Sequence, residues 1–393
     1  MKILLLTGMP PCTNYTAGLV LNQLCSFLPE GSLGCFSVLH PAHNPEIPER
    51  WTRIPHGERQ RPREHWGLTQ SERLRSFITE TCAGKARIGS LARSAISFGK
   101  DFGADLLWCI LEGQTLIRMA IPVAKGLGIP LYTQVWDPPG WWFREHRIDL
   151  LTARSVMNHY HKALRSSACV AAASWAMAEE YGKDYGIRAV PVVPGLDVGL
   201  AQPAATEVHK SSELLIGVAG QLYASAEWKA LISALDSVHW KIAGKEVRIR
   251  LLGREFTMIT HKEARVEFLG WRSQEETIRL LSEADILYCP YWFDPVFETE
   301  ARLCFPSKLI TYLAAGRPVL FHGPAYASPA RFLEAHNAAV FCNSLVPSEV
   351  AATLQLLVSD KDRYRQVAQS GRAAFEEHLT LVAARKSFFE FLG

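Results

Sequence analysis

Short apolar runs alternate with stretches of helical periodicity along the whole chain. Ile3–Leu6 is a strand-length apolar run closed by Gly8 and a Pro pair. Leu21, Leu24, Cys25 and Leu28 then fall at i, i+3, i+4 and i+7, the buried stripe of an amphipathic helix. Cys35–Leu39, Asp105–Leu111, Pro130–Val135, Cys169–Ala173 and Val190–Val193 read as further strands, with helices over Thr115–Gly128 and Val156–Ser166. Unbroken apolar strands separated by helices predict a parallel sheet covered on both faces. The alternation pauses over residues 197–212, which hold no Phe, Trp or Tyr and little apolar periodicity. It resumes with strands at Leu214–Val218, Val247–Leu252, Val266–Leu269, Ile286–Cys289 and Pro318–Phe321, and helices at Glu227–Asp236, Glu275–Glu283 and Ser307–Ala314. The pattern predicts two doubly wound α/β domains, 1–196 and 213–378, joined by a 197–212 linker. A terminal helix in 379–393 is expected to pack back on the first domain.

Composition adds exclusions. The 393 residues are 48% hydrophobic and 21% charged, and 42 Lys/Arg against 39 Asp/Glu leave a formal +3, which excludes a generally polybasic nucleic-acid binder. No run of apolar residues is long enough to span a membrane. Nine scattered cysteines without a C-x-x-C pair predict neither a disulfide framework nor a zinc ribbon, and a chain kept reduced in a cytoplasm. The G-x-G-x-x-G, Walker A, H-E-x-x-H and G-x-S-x-G patterns are missing, which argues against hydride transfer, ATP hydrolysis, zinc proteolysis and esterase chemistry. Ligands of open parallel sheets bind outside the carboxyl ends of the strands, so two such sheets predict a site in the cleft between them.

The segment from Ala264 reads A-R-V-E-F-L-G-W-R-S-Q-E-E, then L-L-S-E-A-D-I-L-Y-C-P-Y, then F-P-S-K-L-I-T-Y-L-A-A-G-R-P-V-L. This resembles the donor-binding domain of GT-B glycosyltransferases, in particular the retaining family 4 type in its P-S-K variant. The resemblance implies two Rossmann-like domains, a nucleotide-sugar donor (UDP-, GDP- or TDP-linked), and neither a metal nor a cofactor. By the same resemblance Gly220, Gln221 and Lys229 stand where the family grips the diphosphate, with Gln221 in place of its usual Arg. Pro306, Ser307 and Lys308 open the next donor-binding helix: Pro suits a first turn, Ser suits a cap, and Lys308 adds a cation. Thr311 occupies the position of the ribose-binding Glu, and Leu303 that of the first Glu of the pair. Thr has one hydroxyl where a carboxylate accepts two hydrogen bonds, so Asp294, Glu298 and Glu300 in the loop after Cys289-Pro290-Tyr291 are candidate substitutes, against a solvated loop face.

Gly270, Trp271 and Arg272 match the turn that meets the base. Trp271 either stacks on the base or packs the sheet end, and packing is the favoured reading. Gly18 resembles the first-domain glycine that lets a backbone amide reach the phosphate. Asp137, just past a strand in V-W-D-P-P-G-W-W, is a candidate to orient or deprotonate the acceptor, against a turn-initiating Asp. Trp141 and Trp142 in the same loop suit a sugar face or a lipid tail, against core packing. His322 lies in a turn near the same ends. Residues 50–100 carry 11 Lys/Arg against 4 Asp/Glu, a net +7, with Arg59, Arg61, Arg63, Arg73, Arg75, Arg87 and Arg93 among Trp66, Phe77 and Ile88. This segment is a candidate contact for an anionic membrane surface, against an ordinary solvated face. The expected activity is retaining sugar transfer to a saccharide or lipid-linked acceptor in surface polysaccharide or glycolipid synthesis, in the cytoplasm or at the inner face of the membrane. Thr311 and Gln221 motivate an alternative, a non-catalytic GT-B binding module, and a sugar-nucleotide epimerase on the same plan is a third reading.

Overall fold

The computed structural model describes all residues except 63, 65–69, 222 and 254–264, and leaves aside the side chains of 70–83. The chain forms two compact units, residues 1–194 with 385–393, and residues 195–384.

Unit 1 is built on seven parallel strands: β1 (Ile3–Thr7), β2 (Leu33–Leu39), β3 (His56–Gln60), β4 (Leu106–Ile110), β5 (Leu131–Val135), β6 (Ser167–Ala172) and β7 (Ala189–Pro191). Their spatial order is β3-β2-β1-β4-β5-β6-β7. Helices α1 (Thr16–Cys25), α2 (Glu49–Thr52), α3 (Gln70–Phe102), α4 (Gly113–Leu127), α5 (Pro139–Glu145), α6 (Leu150–Arg165) and α7 (Trp175–Tyr185) connect them. Every residue of β1 and β4 is buried, as central strands covered on two faces require. The core packs Ile3, Leu5, Leu106, Trp108 and Ile110 against Leu21 and Leu24 of α1.

Unit 2 repeats the plan. Strands β8 (Glu213–Ala219), β10 (Lys245–Leu252), β11 (Val266–Gly270), β12 (Ile286–Pro290), β13 (Val319–His322) and β14 (Ala339–Cys342) run parallel in the order β11-β10-β8-β12-β13-β14, and β9 (Lys241–Ile242) adds antiparallel to β10. Its helices are α8 (Ser225–Ser237), α9 (Gln274–Ser282), α10 (Glu298–Leu303), α11 (Lys308–Ala314), α12 (Ser328–Ala335), α13 (Pro347–Ser359) and α14 (Lys361–His378). Residues read from the sequence as a linker are fixed onto this unit: Gln202 N donates to Ala314 O, Ala205 N to Gly316 O, and Arg372 Nη1 to Gln202 O. In the last helix, α15 (Leu381–Leu392), Phe388 and Phe391 join the core of unit 1 beside Trp108. Among the described residues, no helix is long and apolar enough to cross a membrane.

In each sheet the strand order reverses beside the first strand, at β1/β4 and at β8/β12. A crevice opens at such a point outside the carboxyl ends of the strands.

Candidate functional site

At the carboxyl end of β8 the backbone turns through Gly220, at φ +81°. Gly220 N donates to Leu252 O at the end of β10, and Gly253 N donates to Gly270 O at the end of β11. Gly253 (φ +133°) and Gly270 (φ +70°) are also in backbone regions that side chains disfavour, and a Cβ on Gly253 would lie 2.9 Å from Gly220 O. Three adjacent strands thus end in a seam of glycines, leaving a floor of bare backbone. Gly253 was not singled out from the sequence; its signal was a lone Gly after the apolar run L-L.

Lys308, the first residue of α11, reaches this floor. Its Nζ donates to Gln221 O at 2.9 Å and stands 4.4 Å from the centroid of the Tyr223 ring. Tyr223 leans on Trp292, with ring centroids 4.4 Å apart. Burial pushes the Lys308 pKa down, against a smaller upward effect from Cys289. Cys289 is itself pushed up to about 11 by burial. Tyr312, one turn along α11, fixes the helix to the strand end: its hydroxyl accepts from Ala219 N at 2.7 Å and contacts Tyr288 O at 3.2 Å. The result is a lysine ammonium held over open backbone by a carbonyl and an aromatic face, a place for an anion.

A second layer supports the loop after β12. Glu227 in the first turn of α8 is buried and accepts from Phe293 N at 2.7 Å, while Tyr288 Oη donates to Glu227 O. Tyr288 Oη also meets His322 Nδ1 at 2.7 Å, and His322 Nε2 meets Ser344 O. Burial raises the Glu227 pKa, so the folded state favours the protonated carboxyl. That contribution is present below the ordinary value of 4.5 and is lost as pH rises through the raised pKa. Glu227→Gln, which keeps an oxygen for Phe293 N, is expected to raise the melting temperature at pH 7 and to leave it unchanged at pH 3.5, as thermal denaturation at the two pH values would measure.

In unit 1 a pocket of about 970 Å³ opens at the carboxyl ends of β2 to β5. Arg61, just past β3, crosses the end of β1, where its Nη2 donates to Glu112 Oε1 at 2.8 Å and its Nη1 lies 3.8 Å from Glu64 Oε2. The pair lies directly over Gly8, where a Cβ would fall on both Arg61 and Glu112 and displace their side-chain ends. The Arg61 side chain is 12% exposed. Burial lowers its pKa, but the two carboxylates outweigh burial and the net shift is upward. Glu64 also caps α4, accepting from Thr115 N at 2.7 Å. Asp137, Trp141, Trp142, His40 and His43 line the same space.

Residues 213–360 match the family described as Glycosyl transferases group 1, and the match lies within unit 2. Solved structures align over the whole chain. The HepE protein of Anabaena in complex with UDP is 16% identical with a TM-score of 0.66, covering 100% of this chain and 99% of its own. Sucrose-phosphate synthase of Thermosynechococcus elongatus is 12% identical at 0.68, covering 100% and 98%. The lipopolysaccharide outer core galactosyltransferase WaaB in its apo form is 14% identical at 0.64, covering 100% and 99%. No curated protein matches the chain in sequence. The chain has the GT-B fold.

Within this GT-B chain, Gly220, Gln221 and Lys308 are brought together, with Thr311 half-buried on the same helix. Gly220 contributes the turn and not its amide, which is spent on Leu252 O. Lys229 is exposed in the second turn of α8 and makes no hydrogen bond or ion pair among the described residues. Ser307 does not cap α11: its backbone is already helical (φ −57°, ψ −28°), and its side chain bonds to no helix amide. Pro306 precedes the helix, and its carbonyl accepts from Leu309 N.

Trp271 is 78% exposed, which overturns the packing reading. Arg272 turns to the following helix, pairing with Glu276 of α9. Glu300 is 2% exposed on α10, so it is a core carboxylate and no loop acid, whereas Glu298 is exposed. Asp294 spends an oxygen on Val296 N. His322 is buried on β13 in the Tyr288 network and is no turn residue open to a substrate. Asp137 precedes a helix instead of a turn, because Pro139 supplies the fixed φ of a first helical position; Trp141 and Trp142 stand on that helix, α5.

Of the basic segment, Arg61 is a buried ion-pair member and no surface cation, while Arg59, Arg87 and Arg93 are exposed. Arg63 and Trp66 lie outside the described residues, as do the side chains of Arg73, Arg75 and Phe77. Gly18 is filled against, since a Cβ there would meet Cys12 Sγ at 2.0 Å and Cys12 N at 3.1 Å. Gly18→Ala is therefore expected to destabilise unit 1 by about 1–3 kcal/mol through overpacking. A lowered denaturation midpoint would register that loss, and an unchanged one would mean the loop carrying Cys12 yields freely.

Proposed function

We propose that the protein is a retaining glycosyltransferase that moves a sugar from a UDP-, GDP- or TDP-linked donor to a saccharide or lipid-linked acceptor, in surface polysaccharide or glycolipid synthesis. The observation that carries this reading is the Lys308 ammonium over the glycine floor at the end of β8, inside the segment that matches the glycosyltransferase family. A leaving diphosphate gathers negative charge as the glycosidic bond breaks. A preorganised ammonium stabilises that charge without reorganising. Lys229, exposed in α8, is a second cation for the same phosphates. Thr311 stands for the ribose and Trp271 for the base, while Asp137 orients the acceptor hydroxyl. The chain's own lysines supply the charge that a metal would otherwise bring, and retention needs no pair of hydrolase-like carboxylates.

The likeness to a UDP-bound protein makes UDP-sugars the first donors to try. Incubation with UDP-, GDP- and TDP-sugars and a saccharide panel, read by released nucleotide and by product anomer, tests the reading. Acceptor-dependent release with retained configuration is expected. Nucleotide binding without release for any pair would favour a binding module, to which Gln221 and Thr311, in place of the family's Arg and Glu, would then point. Conversion of the donor alone would indicate epimerisation.

A further inference from the structure

We propose that the helical face of unit 1 formed by α3, α4 and α6 docks on an anionic lipid surface, with Leu150 and Leu151 entering its headgroup layer. This face lies wholly within unit 1 and carries none of the donor-site residues, so it stands whether or not the transfer reading does. The sheet order brings the three helices together. From β3 the chain passes to β4, β5 and β6 in one direction across the sheet, whereas β1 to β2 to β3 runs the other way. Right-handed crossovers therefore set α3, α4 and α6 on one face, and α1 and α2 on the opposite one. Within that layer α4 packs against both α3 and α6.

The face is cationic with almost no counter-charge. Residues 84–102 of α3, with α4 and α6, hold nine Lys/Arg against Asp101 alone, a net +8 in a chain whose total is +3. The remainder of the sequence is thus net negative. Residues 63–83, just ahead of this part of α3, hold three Arg and three Glu and leave the balance unchanged. Lys85, Arg87, Arg93 and Lys100 on α3, Lys125 on α4, and Arg154, Lys162 and Arg165 on α6 are all exposed. None of these eight has an ion pair or a side-chain hydrogen bond among the described residues; Arg165 alone stacks, on Tyr185. Helix α7, which packs on α6, bounds the patch with Glu179, Glu180 and Asp184.

Spacing lines the charges up. On α3, Lys85, Gly89, Arg93, Ser97 and Lys100 follow at steps of four, four, four and three. On α6, Leu150, Arg154, Asn158, Lys162 and Arg165 repeat those steps, and Leu151 stands three before Arg154. Steps of three and four keep residues on one helix face. Leu150 and Leu151, at the start of the α6 stripe, are 64% and 49% exposed. An acidic protein or a nucleic acid would satisfy the cations and leave these leucines in water. A bilayer surface offers both anionic headgroups and an apolar layer beneath them, which is what a stripe of cations ending in two bare leucines fits.

The test is flotation of the full chain with phosphatidylcholine vesicles, with and without about one-third phosphatidylglycerol. Binding is expected only with phosphatidylglycerol, and it should weaken at least tenfold at about 0.5 M salt, which screens exposed charges. The triple variant Arg154→Glu, Lys162→Glu, Arg165→Glu should weaken it by roughly a hundredfold or more, at about fivefold for each cation removed. Lys85→Gln with Arg93→Gln, on the other helix, should weaken it about twenty-fivefold. Leu150→Ser with Leu151→Ser should weaken it by about tenfold or more. All these side chains are exposed, so each variant should keep the wild-type melting temperature. No binding to the phosphatidylglycerol vesicles overturns the proposal, as does binding indifferent to the charge changes on both helices. Wild-type vesicle binding by the leucine variant overturns it too, since the face would then hold a polyanion and no lipid. A thermal shift by UDP without vesicle binding removes this docking alone, whereas vesicle binding without a UDP shift removes the transferase reading alone.

Discussion

Lys308→Met is expected to weaken UDP binding by tenfold to about a hundredfold, the worth of a hydrogen bond to a charged partner at roughly 1.5–3 kcal/mol. Turnover should fall further, by about 10²–10³, because the charge on the leaving diphosphate peaks in the transition state. Methionine keeps most of the apolar stem of the side chain, while the ammonium and its contact with the Tyr223 ring are lost. The pH dependence has a definite sign. Burial sets the Lys308 pKa below the ordinary 10.5, and only the protonated form attracts a diphosphate. UDP affinity should therefore decline as pH rises through that lowered pKa, earlier than an exposed lysine would give, and the alkaline decline should vanish in Lys308→Met. Calorimetric titration across pH 7 to 10 would measure both effects.

Arg61→Met should be the most damaging single change in unit 1. Removing one partner of a buried ion pair costs about 3–5 kcal/mol, because the other charge stays desolvated and unpaired. The lower end applies here, since Glu112 is partly exposed while Glu64 is 7% exposed. For a unit of this size the melting temperature should drop by roughly 10 °C. The unpaired carboxylates would then favour protonation, so the variant should recover stability on acidification, opposite to a simple loss of packing. Adding Glu112→Gln should restore part of the loss at neutral pH. A fall of less than about 2 °C would mean that the trio is solvated and does not organise the pocket.

The sheets were legible in the sequence because their central strands are covered on both faces: β1, β4 and β12 read as unbroken apolar runs. Edge strand β3 (H-G-E-R-Q) was invisible, since it is mostly exposed and held by backbone pairing to β2 alone. Helix α5 was misread because Pro138-Pro139 signals a turn and a helix start equally well, and the structure takes the second. In the site, Gly220, Gln221 and Lys308 were found through the order of motif residues. Their mutual geometry was not, since the contact of Lys308 with Gln221 spans 87 positions. The Arg61–Glu112 pair spans 51 positions, so Arg61 was counted with the basic segment and Glu112 was not singled out at all. Periodicity reports which face a residue takes. It carries no information on which distant side chain shares that face.

Sugar transfer by this chain requires a nucleotide diphosphate to bind at the glycine floor beside Lys308. Hydrogen exchange of the full chain with and without UDP tests it most directly. Slower exchange is expected at Gln221, Tyr223 and Gly253 and through Lys308–Thr311, with the amides of β14 unchanged. Tight UDP binding that leaves Gln221, Gly253 and the start of α11 exchanging at their free rates would contradict it.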